Sequence, residues 1–124
     1  MRVFKTKKFA RFCRKSGIDD GRLLAAVGEI ESGLVDADLG GGVFKQRIAR
    51  PSEGKSGGFR TILLMRHEHR TLFVKGFAKK DVDNISSVDL EDYRMLAETA
   101  LTIGDELVEL ILLEGDWLEI EDGS

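Results

Sequence analysis

The chain is short of cysteine, of long apolar runs and, over its last third, of positive charge. Cys13 is the single cysteine. It can form no internal disulfide, which points to a reducing compartment, the cytoplasm. Two histidines and one cysteine at unrelated spacings do not make a zinc site. No apolar run reaches the length of a membrane span, and the early cations Arg2, Lys5, Lys7 and Lys8 lead into no signal-like apolar core. No membrane partner is therefore expected. Repeats and low-complexity segments are also missing. The 124 residues read as a single domain, 1–124, whose 42% apolar and 33% charged residues suit a soluble globular protein.

The shortage of cations is local. Residues 81–124 hold 1 Lys or Arg against 14 Asp and Glu, a balance of −13, whereas residues 1–80 hold 18 against 8, a balance of +10. So sharp a division predicts a basic surface that meets a polyanion. The plainer reading is an acidic helix lying on a basic sheet and offsetting it.

Arg2-Val3-Phe4 reads as a short strand. Thr6 suits a helix N-cap, Phe9, Phe12 and Cys13 form a helical stripe, and Gly17 suits the stop. Lys7, Lys8, Arg11, Arg14 and Lys15 fall outside that stripe. Asp19 or Asp20 caps a second helix with the stripe Leu23, Leu24, Val27 and Ile30, ending near Gly33. The pair predicts a helical hairpin. Residues 34–39 alternate as a weak edge strand, acid outward.

Val43 to Asn84 is the most informative stretch. Val43, Lys45, Arg47 and Ala49 alternate with Phe44, Gln46 and Ile48, the period-two pattern of a strand with unlike faces. A loop is expected over residues 50–58, which include Lys55, Gly57 and Gly58. Phe59–His67 and Thr71–Phe77 then form a hairpin around Glu68-His69-Arg70. Gly76, inside a strand, marks a bulge or a close backbone approach. Ser86 to Asp89 has the pattern of a helix start. From there Leu90, Tyr93, Ala97, Ala100, Ile103, Leu107, Leu110 and Ile111 predict one long helix, kinked at Gly104 and ended by Gly115. Trp117 to Ile120 alternates as an edge strand. The fold class is α+β: a small antiparallel sheet, an N-terminal helical hairpin and a long C-terminal helix.

Gly54-Lys55-Ser56-Gly57-Gly58-Phe59-Arg60-Thr61 and Phe73-Val74-Lys75-Gly76-Phe77-Ala78-Lys79 carry a family resemblance. With Lys45 to Arg50 before them and Asn84-Ile85 after, they resemble the RelE-like toxins (RelE/HigB type) of bacterial type II toxin–antitoxin systems. The likeness is close from Lys45 to Ile85, and the order of elements extends it to the whole chain. It implies a toxin that cleaves messenger RNA in the ribosomal decoding site, inhibits translation and is neutralised by a cognate antitoxin. Operator DNA would be met only through that antitoxin. By position, Lys45 and Arg47 match the cations on the strand before the basic loop, Arg60 the arginine after the glycines, and Lys79 or Lys80 the cation after the last strand. Better-studied branches often have Tyr or His near the exit of that strand. Here Val82-Asp83-Asn84-Ile85 stand instead, and Lys75 occupies a position where this branch often has Tyr.

Such cleavage must take a proton from a 2′-OH, stabilise a phosphorane and release a 5′-oxygen. A lysine among like charges can serve as base, and arginine offers a planar fork to phosphate oxygens. Lys45 is then the base candidate, Arg47 and Arg60 the phosphate clamps, and Lys79 or Lys80 the acid or a further clamp, with no cofactor or metal needed. Arg50, Lys55, Lys75 and Lys80 are expected to bind RNA. Without the resemblance, these cations would read as solvated charges on a sheet face. Two other functions fit the same pattern: a non-catalytic nucleic-acid-binding module, and a protein-interaction subunit working through the acidic helix.

Overall fold

The computed structural model describes residues 1–50, 54–78 and 85–121, with residues 50 and 54–57 described by backbone alone. Among these, the elements run β1 (Arg2–Thr6), α1 (Lys7–Ser16), α2 (Asp20–Glu31), β2 (Ala37–Asp38), β3 (Val43–Arg50), β4 (Gly54–Arg66), β5 (Arg70–Ala78), α3 (Ser87–Ala100), α4 (Asp105–Glu114) and β6 (Trp117–Ile120). The strands join one sheet in the order β2-β3-β4-β5-β1-β6. No described helix is long and apolar enough to cross a membrane.

Local capping follows the sequence. The Thr6 hydroxyl accepts a hydrogen bond from the Phe9 amide at 3.1 Å, the Asp19 carboxylate one from Arg22 at 3.0 Å, and the Ser86 hydroxyl one from Asp89 at 3.1 Å. Gly17 and Gly115 end their helices at φ 70° and 84°, where a side chain would be strained.

The sheet is mixed, not antiparallel as expected. β1 runs parallel to β5, with Arg2 to Lys5 beside Arg70 to Phe73, and antiparallel to β6. Period-two alternation is the same for either direction, so only the tertiary pairing distinguishes them. The expected N-terminal hairpin is also modified: α1 rests on β5 and α2 on β3, side by side on one sheet face. Between these helices and the sheet, Phe9, Cys13, Leu23, Val27, Ile30, Ile48, Phe59, Leu63 and Phe73 form one core. On the opposite face, Phe4, Val43, Ile62, Leu64 and Leu72 pack beneath Ala97, Ala100, Leu101 and Val108 of the C-terminal helices.

The expected long C-terminal helix is two helices: the kink expected at Gly104 is a full break, with Gly104 as the N-cap of α4, and Arg70 satisfies the carbonyls left there. This side chain is 3% exposed. Its Nη1 donates to the carbonyls of Ala100 at 3.1 Å and Ile103 at 2.8 Å, so it caps the C-terminal end of α3. Its ion pair with Asp105 at 3.3 Å contributes little, because Asp105 is 78% exposed. The break resets the helical phase. Val108 turns inward and Leu112 packs partly on the core, while Leu107 and Leu110, expected inside, are 52% and 56% exposed. Arg70→Met keeps the volume but leaves those carbonyls without their donor. It is expected to cost about 3 kcal/mol, read as a lower denaturant midpoint; an unchanged midpoint would mean that the carbonyls find other partners.

At the same end of the sheet, Arg2 joins the acidic and basic halves of the chain. Its guanidinium donates to both carboxylate oxygens of Glu119 at 2.9 Å and to Glu109 at 2.8 Å. Those bonds hold Glu119 below the usual carboxylate range. The acidic C-terminal segment thus offsets Arg2, as the plainer reading of the charge division predicts for part of the sheet.

Candidate nucleic-acid interface

Strand register places the predicted cations in rows. On the face covered by α3 and α4, the first row is apolar: Val43, Leu64 and Leu72 stand in line across β3, β4 and β5, with Phe4 following on β1. The next row is Lys45, Ile62 and Lys75; the one after is Arg47, Arg60 and Phe77. Lys45, Arg47, Arg60 and Lys75 therefore share one face in two adjacent rows at the end of the sheet away from Arg2 and Arg70. Lys45 and Lys75 are two strand spacings apart, about 10 Å, with Ile62 between them.

Arg47 stands directly opposite Arg60. Like charges in that relation repel across about 5 Å and cost stability. Arg60 is also 6% exposed, so water screens its charge poorly. Arg60 is therefore not the solvated charge of the plainer reading, and Phe77 stands beside it in the row. Arg47 is exposed and is held from behind. Buried Gln46 donates to the Leu34 carbonyl at 2.9 Å and accepts from the Asp36 amide at 3.0 Å. Asp36, so anchored, accepts from the Arg47 amide at 2.5 Å and stands 3.9 Å from its guanidinium. Only Ala37 and Asp38 of the expected edge strand pair with β3.

The expected loop over residues 50–58 is mostly strand, since β4 begins at Gly54. Gly58 lies where β3 shifts register between Ile48 and Arg50. A Cβ on Gly58 would stand 2.1 Å from the Ile48 carbonyl oxygen. Glycine is required there by a close approach of two backbones, not by a turn. Lys79 and Lys80 lie outside the described residues, as do residues 81–84. Arg50 and Lys55 are described by backbone alone, Arg50 pairing with Gly54 across the end of the hairpin.

One aromatic side chain escapes a reading of the sequence. Tyr93 sits on the inward stripe of α3 and reads as core, yet it lines a cleft together with Lys75 and Val74. Burial, and then the charge of Asp89, raise its phenol above the ordinary value. At neutral pH it keeps its proton and can donate or stack, but it is no base. Only the packing of α3 on the sheet reveals it, since its spacing matches that of Leu90 and Ala97. The other aromatics behave as the sequence suggests: Phe59 and Phe73 are buried. Cys13 is buried as well, and its thiol is pushed up to about 11 by loss of solvent. It is protonated and inert at neutral pH. His67 and His69 are exposed.

A mixed sheet with helices on both faces and cations gathered at one end defines a small α+β protein with a basic patch on its sheet. The chain belongs to the RelE toxin family: the family profile described as RelE toxin of RelE / RelB toxin-antitoxin system matches residues 1–120. It is thus the toxin of a toxin–antitoxin pair, and its counterpart is an antitoxin. No curated protein matches the chain.

Proposed function

We propose that the protein is a ribosome-dependent endoribonuclease that cuts messenger RNA and so inhibits translation in the cytoplasm. The observation that carries this reading is the Arg47–Arg60 pair, flanked by Lys45 and Lys75 on one sheet face. Two arginines opposed across adjacent strands form a fork for the oxygens of a single phosphate. In the proposed reaction Lys45 takes the proton of a 2′-OH, whose oxygen attacks the adjacent phosphorus. Arg47 and Arg60 neutralise the charge that grows on the phosphorane. The bond to the 5′-oxygen breaks, and Lys79 or Lys80 supplies its proton. The products are a 2′,3′-cyclic phosphate and a free 5′-OH, so atoms and charge balance without a metal. Arg50, Lys55, Lys75 and Lys80 hold neighbouring phosphates. Operator DNA is met only through the antitoxin.

Dependence on the ribosome follows from the kind of contact that such a patch offers, which is to phosphates and not to the bend of the strand. It can clamp a phosphate but has few means to hold an RNA strand in the bent geometry that in-line attack requires, and the ribosome would supply that positioning. Expression without antitoxin is expected to arrest growth. Purified protein is expected to cut message in a translation extract and to leave the same RNA largely uncut without ribosomes. Unimpeded growth with the protein present at full level, and intact message in the extract, would overturn the reading in favour of a non-catalytic module.

A further inference from the structure

β1 ends its pairing at Lys5 opposite Phe73. Beyond that point the outer edge of β5 has no strand beside it among the described residues, and the chain turns into α1. A cleft of about 490 Å³ opens there, between α1 and the Tyr93 side of α3. Lys8, Arg11 and Lys15 line it from α1, with Lys75 on the strand and Phe12 and Tyr93 as its rings. Among the described residues no acidic side chain lines it. Lys8, Arg11 and Lys15 are exposed and enter no ion pair among the described residues. Their spacings of three and four residues align them on one helix face over about 10 Å, enough to follow more than one phosphate of an extended strand.

The floor of the cleft is built for close approach. A Cβ on Gly76 would stand 2.2 Å from the Phe12 ring, so glycine lets that ring approach the β5 backbone closely. Phe12 also packs edge-on against Phe59 at 5.5 Å. Lys75 belongs both to this cleft and to the row of Lys45 and Ile62. The cations therefore continue from the sheet face around the β5 edge onto α1.

We propose that this cleft is a second RNA groove, in which Lys8, Arg11 and Lys15 hold the backbone phosphates of a single strand whose base stacks on Tyr93. The inference rests on the nuclease reading for the identity of the polyanion. Cations beside an aromatic platform are what single-stranded nucleic acid requires. An acidic polypeptide would meet the same charges, but Lys75 joins the cleft to the row of Lys45 on the sheet face, so a strand that continues from that face, RNA, is favoured. The strand is the message beyond the reacting phosphate, because Lys75 links the cleft to the row of Lys45; ribosomal RNA, which presents the same phosphates, is the alternative that the test separates.

The test uses the full chain carrying Lys8→Glu, Arg11→Glu and Lys15→Glu together, with the Gln triple as a second variant should the reversal disturb folding. The probe is a fluorescent 2′-O-methyl RNA 12-mer, which cannot be cleaved. Affinity is expected to fall about tenfold or more, and the slope of log K against log salt by about 2, from three lost phosphate contacts. Tyr93→Leu is expected to weaken binding without changing the slope. A raised KM for message with unchanged affinity for empty ribosomes assigns the groove to the message; weakened affinity for empty ribosomes assigns it to ribosomal RNA. Wild-type affinity and slope in both triple variants overturn the groove, and loss of antitoxin binding alone would assign the cleft to an acidic polypeptide instead. Either result leaves the nuclease reading intact if the wild type cleaves. A wild type that never cleaves, with triple variants that lose the 12-mer, overturns the nuclease reading and keeps the groove.

Discussion

Arg60→Met is expected to lower the single-turnover rate of message cleavage on ribosomes by about 10²–10³-fold, the usual cost of removing one donor to a developing oxyanion. Methionine is chosen because Arg60 is almost fully buried. Alanine would leave a cavity and confuse loss of chemistry with loss of packing. Methionine keeps most of the volume and removes one of two like charges standing opposite each other on β3 and β4. Cleavage is to be compared at a temperature well below the variant's melting point, so that a loss of rate in folded protein is read as loss of chemistry and not of packing. Arg47→Ala, at an exposed position, should lose activity to a similar degree without a change in stability. Growth arrest by both variants, with cleavage near the wild-type rate, would remove the arginine pair from the mechanism.

Gly58→Ala is expected to be the most damaging alanine substitution among the described glycines. Its Cβ would meet the Ile48 carbonyl oxygen at 2.1 Å and the Ala49 Cα at 3.0 Å. Both are backbone atoms of the paired strand, so no side chain can swing away. The strands must part at the register shift, beside the Arg47–Arg60 pair. A cost of about 3 kcal/mol is expected, a fall of roughly 10 °C in melting temperature for a domain of this size, with loss of cleavage because the two arginines no longer face one phosphate. Gly28→Ala supplies the contrast. Nothing lies within 4 Å of its Cβ, and it sits inside α2, so alanine should stabilise by up to about 1 kcal/mol. Equal melting temperatures for the two variants would show that the backbones can separate freely.

These two sites differ in how far the sequence reveals them. Lys45, Arg47 and Arg60 stand out because a cation at every second residue of a strand is visible in the chain itself. Their gathering on one face follows from period two once the register is known, and the register is a long-range property. The need for glycine at position 58 is a contact between strands. It reads equally well as a turn until the shift between Ile48 and Arg50 is seen. Tyr93 has the spacing of a core residue and gains its position beside Lys75 only because α3 crosses that end of the sheet.

What the sequence by itself determined is what neighbouring residues decide. Thr6, Asp19 and Ser86 start helices because their side chains reach amides three residues on. Gly17 and Gly115 stop them by tolerating positive φ, and alternation over Val43–Ala49 gives a strand with unlike faces. Tertiary structure alone decided the rest. β1 enters between β5 and β6, parallel to the first, Arg70 takes the carbonyls at the end of α3 where Gly104 had marked only a kink, and α1 carries Lys8, Arg11 and Lys15 to the open edge of β5. The physical reason is one of range. Caps and periodicities are settled by energies within a turn or a strand, whereas strand direction, helix phase after a break and the neighbours of a buried arginine depend on segments 30 to 70 residues away.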